Sequence, residues 1–315
     1  MRFRGLALVV GAFGLALVTS AVQAAALTTP AIAGVVKAGT PIEVIGDSFA
    51  GTEGPVALPD GSLLFTENRA TRVTRIALDG SVGEFLTNPA GPNGLALNAQ
   101  GSVVATLTAQ PGVAVIYPSE RAAILVDKAN GTPLNRPNDL VMDRSGGVYF
   151  TDPGGLRKPG QLPVTAVYYL SPRNELRLVD NGVGLPNGIQ LSPDEKILYV
   201  ADTTGEYVLA YDVTADGIVG ERRNFARLAH RADAGSTAAG ADGLAVDVDG
   251  RLYVATSLGV QVFNAAGVAL GVIELPKKPQ NLAFAGKNKH DLFVVGQGAV
   301  YRIHTGTQGV LSRAK

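Results

Sequence analysis

The chain has no cysteine, so neither a disulfide nor a lipid-modified cysteine is possible and stability must come from packing alone. It has no charge imbalance either: 27 basic residues face 27 acidic ones, and no basic cluster breaks that balance. Such a surface lacks the electrostatic footprint of a partner for DNA, RNA or anionic lipid, and excludes nucleic-acid binding from the expected functions. The usual nucleophile signals are also missing. There is no Gly-x-Ser-x-Gly elbow, no His-Glu-x-x-His and no glycine-rich phosphate loop. The three histidines, His230, His290 and His304, fall outside any repeated position and read as loop or surface residues. Chemistry in this chain has to be carried mostly by a metal ion. With no long polar tract and 46% hydrophobic residues, the sequence can fill the core of one large all-β domain rather than two.

What the sequence does contain is a repeat. Six polar, oxygen-bearing residues, Glu53, Asn93, Asn138, Asn187, Asp242 and Asn281, each stand eight positions ahead of a turn residue. The turn residues are Gly61, Gly101, Gly146, Glu195, Gly250 and Lys289, and each opens an apolar run such as Leu63-Leu64-Phe65 or Leu252-Tyr253-Val254. A fixed offset recurring every 39 to 55 residues marks a repeat architecture with one supersecondary unit per interval. The units are short β-rich runs cut by Asp-Gly, Pro-Asn-Gly and Ser-Pro-Asp turns, so each predicts a small antiparallel sheet. Six such sheets arranged radially make a six-bladed β-propeller with four-stranded antiparallel blades.

The geometry has a functional consequence. Equivalent positions in each blade lie at equivalent distances from the axis, so the six residues should ring one mouth of the central channel. Two carboxylates and four carboxamides, with no sulfur or imidazole among them, suit Ca²⁺, Mg²⁺ or Mn²⁺ better than Zn²⁺ or copper. Their two negative charges match one divalent cation. The plainer alternative is that channel mouths are wet and these residues only face water.

The amino terminus reads separately. Met1-Arg2-Phe3-Arg4 is positive, the run from Leu6 to Val18 is apolar and uncharged, and Ala21-Val22-Gln23-Ala24 offers small residues for cleavage. The run falls short of the ~20 residues of a spanning helix, so 1–24 is expected to be a signal peptide and the protein periplasmic or secreted, with no stable membrane association after cleavage. An uncleaved anchor is the alternative. Residues 25–40 read as a flexible lead-in and 41–310 as the propeller, expected to be a monomer. The phase of Ile42-Glu43-Val44-Ile45 matches that of the outer strands, so this segment should close the ring from the edge of the last blade. Two loops, Pro153 to Pro163 and Ala229 to Gly240, depart from the repeat and should rim the face that carries the ring, as binding loops or as tolerated insertions.

Several motifs occur in order and in blade phase: Glu53-Gly54-Pro55, Arg136-Pro137-Asn138-Asp139, Val148-Tyr149-Phe150-Thr151-Asp152-Pro153, Leu185-Pro186-Asn187-Gly188-Ile189 and Ala241-Asp242-Gly243-Leu244. Together they resemble the regucalcin/gluconolactonase (senescence marker protein) family of six-bladed propeller hydrolases, from about Glu53 to Ile303 and most strongly its bacterial gluconolactonase-like members. The resemblance implies a metal site on Glu53, Asn138, Asn187 and Asp242, with Asn138 a substrate contact in some members. It implies a substrate contact at Arg136, and we expect another at Asn93. The cation expected is Ca²⁺, with Mg²⁺, Mn²⁺ or Zn²⁺ as alternatives. The reaction expected is hydrolysis of a small, sugar-type lactone, with Asp242 as catalytic base. A phosphoester or fluorophosphate hydrolase using the same ring, and a non-catalytic periplasmic binding propeller, are the other readings. Blade two departs from sugar-lactone members by lacking charged or His residues in the stretch from Ala105 to Gln110, which bears on the substrate more than on the metal.

Overall fold

A computed structural model describes residues 26–87, 90–154, 165–215, 217–231, 235, 237–313 and 315. The segment expected to be a signal peptide lies outside the described residues, as do 155–164 of the first loop and 232–234 and 236 of the second.

Six antiparallel sheets follow one another along the chain. The innermost strand of each begins within two residues of a ring position: Glu53–Ala57, Pro92–Leu97, Leu140–Met142, Pro186–Leu191, Leu244–Val246 and Asn281–Ala285. Each innermost strand packs against the innermost strands of both neighbouring blades, so the six close into a ring around a channel. Closure is made as expected: Ile42–Gly46 pairs antiparallel with Ala299–His304 and becomes the outer strand of blade six. The propeller is thereby fastened by residues from both ends of the repeat, and neither first nor last blade is left with a bare edge.

The apolar runs are continuous rather than alternating because each blade is buried on both faces. The core divides into six clusters, one between each pair of adjacent blades. Leu63 and Phe65 face blade six, whereas Leu64, between them, faces blade two. Successive side chains on a strand point to opposite faces, so a strand covered on both sides must be apolar at every position.

The turns are equally regular. All six turn residues lie in the left-handed region, from φ 52° at Lys289 to φ 91° at Gly146. In every blade the turn residue's N–H donates to the carbonyl three residues earlier, as from Gly61 to Leu58 and from Glu195 to Ser192. Glycine takes this conformation without the Cβ clash other residues meet, which explains its presence in four of the six turns. Glu195 and Lys289 are the exceptions.

Residues 26–40, expected as a flexible lead-in, are instead packed. Ile32 and Val35 are buried against Ile273 and other residues of blades five and six, and Thr29 and Ile32 exchange backbone hydrogen bonds with residues 36 to 40. The Ala- and Thr-rich composition concealed Ile32, Val35 and Val36, whose burial is sufficient to hold so short a segment.

Candidate active site

The six repeat residues meet at the end of the channel where the innermost strands begin. Side chains on the second strands hold them there. Thr66 Oγ1 donates to the Asn93 carbonyl (2.9 Å), Thr106 to that of Asn138 (2.6 Å), Thr151 to that of Asn187 (2.7 Å) and Thr203 to that of Ala241 (2.7 Å). The first three threonines thus fasten one blade to the ring residue of the next, and Thr203, just past its strand, fastens blade four to the residue before Asp242. The glycines after four ring residues serve the same close approach: a Cβ at Gly54 would lie 2.0 Å from the Asn93 carbonyl oxygen, and one at Gly188 2.2 Å from that of Asp242. In blade three Asp139 occupies that position instead.

The side chains form a linked set. Asn93 Nδ2 donates to the Asn138 carbonyl (3.0 Å) and reaches Asn138 Oδ1 (3.4 Å). Asn187 hydrogen-bonds Asp242, and its Nδ2 also donates to Thr203 Oγ1 (3.1 Å). Glu53 accepts from Gln280 Nε2 (3.0 Å) on one oxygen and from Asn281 Nδ2 (3.3 Å) on the other. Glu53, Asp242, Asn93 and Asn281 are buried, while Asn138 and Asn187 are partly open. Arg136 is exposed two residues from Asn138, its backbone N–H held by Asp152 Oδ1 (2.6 Å).

The electrostatics set this ring apart from ordinary wet polar surface. Burial, and then the charge of Asp139, push the Glu53 carboxyl up to about 7. Asp242 is held well above the usual carboxylate range by burial first and by the charge of Glu53 second, while Lys278 opposes the shift. Two desolvated carboxylates repel each other across the channel mouth, and one divalent cation between them would remove the repulsion and restore the lost solvation. The donor set fits that role: hard oxygens only, two of them anionic, with carboxamides to complete a coordination sphere. Among the described residues no three His, Cys, Asp or Glu side chains gather closely enough to hold an ion by themselves. An ion held here would therefore also need carboxamide oxygens, which Asn138 and Asn187 could offer.

Sequence reasoning missed several residues of this region. Asp139, Gln280 and Lys278 were named only within motifs or not at all. The threonine clamps had a detectable signal, because Thr66, Thr106 and Thr151 each stand thirteen positions after a ring residue.

Comparison with known proteins matches this geometry to a family. Residues 51–297 match the SMP-30/Gluconolactonase/LRE-like region. A gluconolactonase of Zymomonas mobilis is 31% identical over 308 residues, covering 89% of this chain and 86% of its own. The structure of a gluconolactonase from Xanthomonas campestris superposes with a TM-score of 0.77 at 29% identity, covering 89% of this chain and 97% of that one. A calcium-binding protein, regucalcin, from Agrobacterium tumefaciens shares the fold with a TM-score of 0.71 at 18% identity, over 88% and 95% of the two chains. The chain belongs to the SMP-30/gluconolactonase/LRE-like family.

Proposed function

We propose that the protein is a lactonase, a carboxylic ester hydrolase that opens a small polar lactone at the ringed mouth of the channel. The observation that carries this reading is the pair of buried, mutually repelling carboxylates Glu53 and Asp242 in an all-oxygen ring, in a chain related to gluconolactonases over most of its length. Glu53, Asn138, Asn187 and Asp242 would hold a divalent cation, Ca²⁺ in our reading. Such an ion, when bound, supplies electrophilic polarisation of the lactone carbonyl.

The chain's own residues supply the rest. Asp242 accepts a proton from water as the water oxygen adds to the carbonyl carbon. When the ring C–O bond breaks, the same carboxyl returns the proton to the leaving oxygen, giving a hydroxy acid. Burial and the Glu53 charge raise its proton affinity in the ion-free ring, and a bound cation would oppose that shift. Asn187 orients Asp242, Asn281 and Gln280 orient Glu53, and Asn93 and Arg136 contact the substrate's polar edge. A phosphoester would bring further anionic oxygens toward Glu53, Asp242 and Asp139, so a neutral lactone suits the site better.

Substrate size follows from the residues around the ring. Asn93, Arg136, Lys278 and Gln280 offer polar contacts and little of the apolar wall a long acyl chain needs. The signal-like segment at 1–24 supports action in the periplasm or outside the cell; among the described residues no helix is long and apolar enough to cross a membrane. Comparing kcat/KM for an aldonolactone and a long-chain acyl lactone, with and without chelator, tests the reading. We expect the aldonolactone to be preferred and chelation to abolish turnover. Preference for the long chain would refute the pocket argument, and no turnover of any lactone would refute the function.

A further inference from the structure

Beneath the ring lies a third carboxylate that the repeat does not supply. Asp139 stands where four blades have glycine, is fully buried, and points toward the channel: its Oδ2 lies 3.4 Å from Asn281 Nδ2, the same amide group that serves Glu53. Its Oδ1 accepts from the Leu140 N–H (2.9 Å) and receives the ammonium of Lys315. Both side chains of this ion pair are withdrawn from solvent, at 2% and 0% exposure.

Lys315 comes from outside the blades. Residues 305–313 cross the far end of the channel, and their fixings are specific. Gly309 N–H donates to the Lys289 carbonyl (2.8 Å), Thr307 Oγ1 to Asp247 Oδ2 (3.1 Å) and Arg313 Nη2 to the Leu191 carbonyl (2.8 Å). Lys289 Nζ donates to the carbonyls of Val310 and Arg313.

The charges then balance in a particular way. Glu53, Asp139 and Asp242 total three negative charges, and Lys315 cancels the one that is not on the ring. Lys278, the remaining cation acting on Asp242, acts more strongly than Asp139 does but is half-buried and outside the channel pair, so its share falls with added salt. We propose that Lys315, through its buried ion pair with Asp139, is a positioning residue that fixes the effective charge of the ring at two and so tunes it to a divalent rather than a trivalent cation. This rests on the reading of the ring as a cation site.

The test uses the full chain stripped with chelator, titrated calorimetrically with Ca²⁺ and with Tb³⁺, in wild type, Asp139→Asn, Lys315→Met and the double variant. Asp139→Asn leaves the lysine uncompensated and should weaken Ca²⁺ binding by about tenfold. Lys315→Met leaves three carboxylates and should raise the preference for Tb³⁺ over Ca²⁺ by about tenfold. The double variant, with the original net charge, should return both quantities to within about threefold of wild type. A weakened Ca²⁺ site in one single, a shift toward the trivalent ion in the other and recovery in the double are what a merely structural contact would not produce. If both singles weaken binding alike, or neither alters it, or the double fails to recover, the proposal falls. Should Lys315→Met not fold, weakened Ca²⁺ binding in Asp139→Asn with recovery in the double supports the proposal, and its absence overturns it. A wild-type protein that binds neither ion overturns the ring reading along with the proposal.

Discussion

At the end of the channel where the innermost strands begin, the six repeats place Glu53, Asn93, Asn138, Asn187, Asp242 and Asn281 around the axis. At the end where the strands finish, the same repeats lead into six left-handed turns, and there residues 305–313 lie beside a cavity of about 390 Å³ lined by Leu58, Asn98, Asp143, Lys289 and Arg313. One end gathers buried carboxylates, and the other sets the half-buried Lys289 and the buried Arg313 beside the buried Asp247. Burial lowers the Lys289 ammonium to about 8 and Arg313 to about 10. The radial repeat determines where side chains converge, but the departures from it determine what each end does. Lys289 is such a departure: it accepts a left-handed backbone without being glycine, a conformation that costs about 1–2 kcal/mol, and its side chain fastens the covering segment.

The ring end should be the more fragile in activity. Asp242→Asn keeps shape and an oxygen donor while removing the charge and the base, and should lower kcat by about 10²–10⁴-fold with the melting temperature retained. Asn281→Ala, which removes only an orienting amide, should cost about tenfold. Steady-state kinetics with melting curves on both variants check this; equal losses would mean the ring acts only as a packed polar unit.

The same end should show an unusual pH dependence when stripped of ions. Because the folded-state affinity of Glu53 for its proton is raised from 4.5 to about 7, the native state binds more protons than the unfolded one across that window. Stability must therefore fall as pH rises between those values, by on the order of 3 kcal/mol for this group. Asp242, shifted in the same direction, adds to the slope. Melting temperature against pH in chelator measures it, and saturating Ca²⁺ should flatten the curve. A stability that climbs through this window would contradict the assignment of two repelling carboxylates.

The far end should respond in the opposite sense. Lys289→Ala removes the ammonium that holds the carbonyls of Val310 and Arg313, and should lower stability by about 1–3 kcal/mol. Because the residue lies away from the ring, kcat at saturating Ca²⁺ should change less than about twofold. Denaturant unfolding and kinetics on one preparation separate the two effects.

Much of this was legible in the sequence, for a physical reason. A closed radial fold repeats the same backbone constraints in each blade, so the eight-residue offset between Asn93 and Gly101, or Asp242 and Gly250, carried strand, turn and channel position together. The phase of Ile42 to Ile45 likewise gave closure, since outer strands must recur at a fixed distance before each ring residue. What the repeat does not contain stayed hidden. Asp139 looked like one more letter in a Pro-Asn motif, although its partner Lys315 lies 176 residues away. Lys278 and Gln280 sit in a connection whose path has no periodicity to read. The packing of Ile32 and Val35 depended on a groove formed by blades five and six, which composition cannot show.

The proposed role of the ring is that of a cation site on which both fold and turnover depend. Calorimetric titration of Ca²⁺ into chelator-stripped protein, with melting temperature and lactonase activity followed in parallel, tests it most directly. We predict one ion bound per chain, a rise in melting temperature with ion concentration, and recovery of activity at the same stoichiometry. A stripped protein that melts unchanged and hydrolyses lactone at full rate would contradict it.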